Sequence, residues 1–317
     1  MKTLERNDCI TVFDQNLCVL AGAGSGKTTL LVERFLNAIT QCKFDPERIL
    51  AITFTEKAAH EMKNRLVAEC LGRGLLKERR RLENASITTI HSFCARLLRE
   101  NPVEGGLDPN FRILGEGESD VLMDRVLDRL FEEEAESASW IRMLLVYGEE
   151  GVRKALKQFY ETVRAFTGEE NENSLFSYEK SENEKKEFQR VFRSFQSAYE
   201  GEKKSRGAYD FQDLLFLAFR LLFNPSVAHQ DVRRRLQERF SAILVDEVQD
   251  TSLLQFRLIG LLRSKDNLFV VGDSQQSIYG FRHAEPALLE ELSGRSPTPK
   301  RSCLPKITVR VKKSLIF

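Results

Sequence analysis

The stretch that most constrains the fold is LCVLAGAGSGKTTLLVERFL, Leu17 to Leu36. An apolar run, a glycine-rich turn and an amphipathic run follow one another without a break. That order predicts strand, tight turn and helix. Small residues at Ala21, Gly22, Ala23, Gly24, Ser25 and Gly26 let backbone N–H groups close on an anion at the helix N-terminus. Lys27 adds a point charge suited to the β- and γ-phosphates of a nucleotide, Thr28 offers a hydroxyl to Mg²⁺, and Thr29 completes the loop. Ala21 stands where this phosphate-binding pattern has its first glycine. A glycine-rich turn that merely precedes a lysine is the alternative, and the flanking strand and helix count against it.

Further strand–helix units follow. ILAITFT (Ile49 to Thr55) precedes EKAAHEMKNRL, whose apolar residues have helical spacing, and the β-branched run SITTIHSF leads into the helical CARLLRE. Strands alternating with helices predict an α/β fold with a parallel sheet. After Pro102 the texture changes. Gly105, Gly106, Pro109, Gly115 and Gly117 mark a loop-rich passage, then helical patterning dominates from Ser119 to Tyr199, with GEENENS and EKSENEKK read as solvated turns or a flexible excursion. Residues 102–206 are expected to be an all-helical insertion in an α/β domain built from 1–101 and 207–292. An independent helical domain is the alternative. The α/β texture returns with YDFQDLLFLAFRLL, SAILVDEVQD and NLFVVGD.

Composition narrows the partners. Charged residues are 30% of the chain, yet the formal net charge is only +1, so charge balance alone points to neither nucleic acid nor membrane. No apolar run has membrane-spanning length and MKTLERND is not a signal peptide, so a cytoplasmic location is expected. The six cysteines form no CxxC pair, which favours scattered reduced thiols over a metal cluster.

In SAILVDEVQD the run Ile243 to Val245 predicts a buried strand, with Asp246 and Glu247 at its carboxyl end, where ligands bind in open α/β sheets. Asp246 is placed to hold Mg²⁺ and Glu247 to polarise an attacking water. Adjacent acids after a strand also suit a surface turn, and the phosphate-binding loop in the same chain favours the site. The stretch LFVVGDSQQSIYGFRHA, Leu268 to Ala284, opens as a strand and ends in Gln275, Gln276, Tyr279, Phe281 and Arg282. An amide such as Gln276 can bond a γ-phosphate, Arg282 can pair with phosphate or stack on a base, and Tyr279 and Phe281 offer faces for base stacking. By themselves the two aromatics read more readily as core residues.

Taken together, AGAGSGKTT, TFTEKAAHEM, TTIHSF, DFQDLL, VDEVQDTSLLQ and GDSQQSIYGFRHA resemble the UvrD/Rep family of superfamily 1 helicases, and within it the RecB/AddA branch. The strings run from Ala21 to Ala284, and the pairing of VDEVQDT with GDSQQSIYGFR is the most specific part. The resemblance implies a RecA-like domain interrupted by a helical subdomain, and ATP-driven 3′-to-5′ movement along single-stranded DNA. It assigns ATP and Mg²⁺ to Lys27, Thr28, Asp246, Glu247 and Gln276. It assigns the DNA path to Phe54, Tyr279, Phe281 and Arg282, with His91 either near that path or a packed structural histidine. A second helicase or nuclease subunit is a further expected partner.

The chain departs from the family pattern in two places. The family's adenine-reading glutamine, counted back from Ala21, falls on Arg6, which loosens the expected preference for ATP over other nucleotides. Family members also carry a second RecA-like domain that brings arginines to the γ-phosphate, and no motif of that domain is recognised here. Slow hydrolysis with little or no unwinding is therefore expected, the alternative being a partner subunit or a truncated, non-catalytic nucleotide- and DNA-binding module. From Ser293 the chain continues as SGRSPTPKRSCLPKITVRVKKSLIF, with no clear helix or completed α/β unit. In suitable synonymous codons, Cys303 to Phe317 read one base out of step encodes LAKNYRSRKEVFDF, which holds the family's next motif, NYRS. Residues 293–317 are thus expected to be an aberrant, disordered tail from a frameshift. A basic disordered tail that touches DNA is the alternative.

Overall fold

Strands buried on both faces need near-continuous apolar runs, and three of the runs above provide them. The computed structural model describes residues 6–22, 24–165, 182–264 and 266–273. In chain order its elements begin with α1 (Arg6–Thr11), β1 (Leu17–Leu20), α2 (Lys27–Thr40), β2 (Ile49–Thr53), α3 (Glu56–Gly72), α4 (Leu76–Arg81), β3 (Ser86–Thr89) and α5 (Ile90–Glu100). They continue with α6 (Pro102–Gly105), β4 (Arg112–Ile113), α7 (Glu116–Glu133), α8 (Ala138–Ala165), α9 (Glu182–Ser205), β5 (Ala208–Tyr209) and α10 (Phe211–Phe223). They close with α11 (Val227–Arg239), β6 (Ala242–Val245), α12 (Leu253–Leu262) and β7 (Leu268–Gly272). Ala23, Gln275, Gln276, Tyr279, Phe281 and Arg282 lie outside the described residues, as do GEENENS, Cys303 and the tail 293–317.

The described chain divides into two compact units, one of residues up to 97 and from 218, the other of residues 98–217. The first is an α/β unit around a five-stranded parallel sheet in the order β1-β7-β6-β2-β3. Alternate residues point to opposite faces of a strand. Leu17, Val19, Ile49, Ala51, Ala242, Leu244, Phe269 and Val271 pack with Leu31, Phe35 and Leu36 of α2 and Met62 and Leu66 of α3. Their neighbours Leu50, Ile52, Ile243, Val245, Leu268 and Val270 are buried too. Both faces of β2, β6 and β7 are therefore covered, which is what an all-parallel sheet requires.

Helix caps set where two strands stop, and both end earlier than the apolar runs suggest. Thr55 leaves the ILAITFT run to cap α3, its hydroxyl accepting the Ala58 N–H at 3.1 Å. Thr89 ends β3 in the same way, accepting the Ser92 N–H at 3.2 Å, so the IHSF of SITTIHSF belongs to α5 rather than to a strand. A third difference lies in EKSENEKK: α9 begins at Glu182, inside it. Glu and Lys, which dominate this string, favour helix.

The second unit is helical, with a two-stranded parallel pair, β4 and β5. Trp140, Tyr160, Phe192, Phe195 and Tyr199 form its buried centre. Helix α8 breaks at Gly148, whose φ of 69° suits a residue without a Cβ. DFQDLL closes the unit. Asp210 and Asp213 cap α10 reciprocally, each carboxylate accepting the other's backbone N–H at 2.9 Å. Lys203, only 1% exposed, donates to Asp210 at 3.0 Å, to Asp213 at 2.6 Å and to the Tyr160 hydroxyl at 3.2 Å. Arg164 donates to both acids at 2.7 Å. Two cations and two anions thus share one interior. Removing one member of such a set strands its partners without solvent. Lys203→Ala is expected to cost this unit about 3–5 kcal/mol. Urea unfolding followed by the fluorescence of Trp140, the chain's one tryptophan, measures it.

Candidate functional site

Because all five strands of the α/β unit run parallel, their carboxyl ends share one edge, and the described candidate residues of this unit follow the strands there. Register places Leu20 beside Gly272, Val245 beside Val270 and Ile52, and Thr53 beside Thr89. The loop 21–26 follows β1, Asp246 and Glu247 follow β6, Phe54 follows β2, and His91 stands in the first turn of α5 after β3. Phe54 and His91 are half-buried.

The loop is shaped by backbone freedom. Gly24 and Gly26 have φ of 70° and 81°, values that side chains resist. Gly26 is the N-cap of α2 and supplies no side-chain cap, so no side chain of its own covers the N–H groups of the first helical turn. The Ser25 hydroxyl is buried without a hydrogen-bond partner among the described residues. An unsatisfied hydroxyl beside an uncapped helix N-terminus suits an anion with several acceptor oxygens. Thr28 is half-buried and Thr29 exposed on the first turn of α2.

Lys27 is 9% exposed along its side chain and donates to Glu247 Oε2 at 2.7 Å. The fold therefore brings together two candidates separated by 220 positions. Glu247 has left-handed backbone angles, φ 50° and ψ 47°, uncommon for a residue with a Cβ. Its N–H donates to Asp246 Oδ1 at 3.0 Å. Asp246 is 8% exposed, and burial, followed by the charge of Glu247, pushes its carboxyl up to about 6. The Glu247 N–H and the Lys27 charge pull it the other way. A divalent cation would supply the positive charge this carboxylate is short of. The donor set thus fits Mg²⁺ with a polyphosphate.

Two contributors carry little signal in the sequence. Gln249 is 3% exposed, and its Nε2 donates to Glu247 Oε2 at 2.7 Å while its Oε1 accepts the Asp273 N–H at 2.8 Å. Glu56, at the start of α3, accepts from the Thr89 hydroxyl at 2.7 Å and the Ser92 hydroxyl at 2.6 Å, joining the turns after β2 and β3. Those bonds, from Ser92 first and then Thr89, hold its carboxyl below the usual range. Arg6, at the expected position of an adenine reader, is ion-paired with Glu33 of α2 at 3.0 Å. Its helix α1 is anchored by buried Arg34, which donates to the Cys9 and Val12 carbonyls at 2.6 and 2.7 Å and lies against the rings of Phe13 and Phe269.

A family model described as the UvrD/REP helicase N-terminal domain matches residues 3–297. The chain is 30% identical to an ATP-dependent helicase/nuclease subunit from Exiguobacterium sibiricum, over 90% of this chain and 36% of that protein. It is 33% identical to the ATP-dependent DNA helicase PcrA of Leuconostoc citreum, over 84% of this chain and 32% of that protein. It is 31% identical to the ATP-dependent DNA helicase Rep of Escherichia coli, over 89% of this chain and 37% of that protein. The chain thus spans about a third of the length of these relatives. No helix among the described residues is long and apolar enough to cross a membrane.

The turn after β6 is pressed so closely on the end of β7 that Gly272 has no room for a side chain. A Cβ there would lie 2.7 Å from both Val248 Cγ1 and Gln249 Oε1. Gly272→Ala is expected to destabilise the α/β unit by about 1–3 kcal/mol, the cost of overpacking a filled interior. Urea titration by circular dichroism tests this.

Proposed function

Since the chain belongs to the UvrD/REP helicase family, matching its N-terminal domain over residues 3–297, we propose that these 317 residues hold the ATP-binding and part of the DNA-binding machinery of a 3′-to-5′ DNA helicase. The observation that carries the proposal is the 2.7 Å pairing of Lys27 with Glu247, on the edge where Phe54 and His91 also leave the sheet. The relatives described above are ATP-dependent helicases by name.

In this reading the N–H groups of the loop from Ala21 through Ala23 to Thr29 cradle the phosphates, and the Ser25 hydroxyl gains the acceptor it lacks. Lys27 turns from Glu247 to the β- and γ-phosphate oxygens. Thr28 and Asp246 hold Mg²⁺, which when bound offsets the charge that builds up on the phosphoryl oxygens. Glu247, released from Lys27, orients water and accepts its proton. Gln276 contacts the γ-phosphate. Single-stranded DNA lies against Phe54, His91, Tyr279, Phe281 and Arg282, stacking bases on the aromatics without sequence preference. The Exiguobacterium relative is by name one component of a helicase/nuclease, which supports a second helicase or nuclease chain in the role of partner.

Two experiments test the proposal. The 317-residue chain should bind Mg-ATP and hydrolyse it slowly, faster with single-stranded DNA. Lys27→Ala should lower that rate by about 100-fold or more, as loss of a preorganised charge at the phosphates does. Nucleotide and DNA binding with no turnover would replace the motor by a non-catalytic binding module. In the second, Arg6 offers only donors and is held by Glu33, whereas a glutamine amide presents the donor–acceptor pair that matches adenine. Wild-type protein is expected to bind ATP and GTP within about tenfold of each other, a difference of about 1.4 kcal/mol. Arg6→Gln should widen the gap in favour of ATP, measured by competition against a fluorescent nucleotide.

A further inference from the structure

One peptide group at the head of the segment carrying Gln276, Tyr279, Phe281 and Arg282 is gripped from two directions. The Gly272 carbonyl accepts the N–H of Ala21, first residue of the phosphate loop, at 2.9 Å. The N–H of the same peptide, on Asp273, donates to Gln249 Oε1 at 2.8 Å. The other end of the Gln249 amide donates to Glu247 Oε2 at 2.7 Å, the oxygen that Lys27 Nζ also reaches at 2.7 Å. Lys27, Glu247, Gln249 and the Gly272–Asp273 peptide thus form an unbroken chain of hydrogen bonds.

We infer that Gln249 is a positioning residue that carries the state of the Lys27–Glu247 pair to the Gly272–Asp273 peptide. The inference rests on the proposal that a nucleotide binds at Lys27. A primary amide and a peptide group are both planar, so displacing one end of either displaces the other. Lys27 holds the Glu247 carboxylate against the loop. When phosphate takes Lys27, that carboxylate loses one of its two donors and turns toward water, since its side chain is already 34% exposed. Gln249 Nε2 then loses its nearer acceptor and keeps only the longer contact to Asp250 Oδ2, at 3.3 Å, so the amide shifts and the grip of Oε1 on Asp273 loosens. The left-handed backbone of Glu247 marks a conformation that its surroundings must hold in place, and Gln249 is one of the groups that hold it. Gly272 completes the device, because a Cβ there would collide with Gln249 Oε1.

Hydrogen–deuterium exchange at the Asp273 amide, resolved to the single residue in the full 317-residue chain, tests the relay. The amide is expected to be protected in the free protein. A non-hydrolysable ATP analogue with Mg²⁺ should accelerate its exchange about fivefold or more, the lower end of ordinary coupling between sites. Lys27→Ala without nucleotide should accelerate it in the same sense, and Gln249→Ala should do so whether or not analogue is present. Unchanged Asp273 exchange in Lys27→Ala, with Gln249→Ala accelerated, would make Gln249 a static brace and overturn the relay. Analogue binding is measured by calorimetry on the same samples. If the analogue fails to bind while Lys27→Ala still accelerates exchange, the nucleotide reading falls and the wiring stands.

Discussion

A lysine whose side chain is 9% exposed needs an anion, and here that anion is one oxygen of Glu247. Much of the α/β unit follows from that requirement. Lys27 starts the helix after the first strand and Glu247 follows the sixth, so only a sheet that ends both strands on one edge can bring them together. Parallel pairing does this, with β7 alone between β1 and β6. Isolated buried charge is costly, and the pairing with Glu247 offsets that cost while fixing where the lysine points. In the proposed function, the partner of Lys27 in the free protein is also the group that phosphate would release.

The parts legible in the sequence were those that repeat a physical pattern. Unbroken apolar runs marked β2, β6 and β7 because both faces are covered. The glycine loop was legible because few backbones other than glycine accept φ near 70–80°. Asp246 and Glu247 stood out as acids at a strand end. Gln249 did not. One glutamine among acids has no periodicity, and its partners at Glu247 and Asp273 are set by how the turn after β6 meets the end of β7. The caps at Thr55 and Thr89 shortened two strands for a related reason: a threonine suits a strand interior and a helix start alike. The pairing of Arg6 with Glu33 joins residues 27 positions apart and becomes visible only once α1 lies beside α2.

The helical unit shows a signature string with a structural task. DFQDLL resembles a functional motif, yet its two acids cap their own helix and neutralise Lys203 and Arg164 in the interior. Such sets seldom stabilise more than a well-packed apolar replacement would. What they do impose is geometry. Lys203 of α9 and Arg164 of α8 can meet both acids only if α8, α9 and the start of α10 keep one alignment. The ring of Tyr199, 4.4 Å from the Lys203 ammonium, adds to that alignment through its face.

Comparable reasoning explains why glycine precedes Asp273. A strand end in the middle of a parallel sheet has neighbours on both sides, and here each neighbour carries part of the site. The phosphate loop bonds the Gly272 carbonyl from the β1 side, and the turn after β6 bonds the Asp273 N–H. That turn can approach closely enough only where no Cβ intervenes. The same absence that tightens packing therefore exposes a peptide group to both the glycine loop and the acidic turn. A bulkier residue would separate the turn from β7 and break the hydrogen-bond chain, even if Lys27, Asp246 and Glu247 kept their places. The last described peptide of β7 is thus held jointly by the glycine loop and the acidic turn.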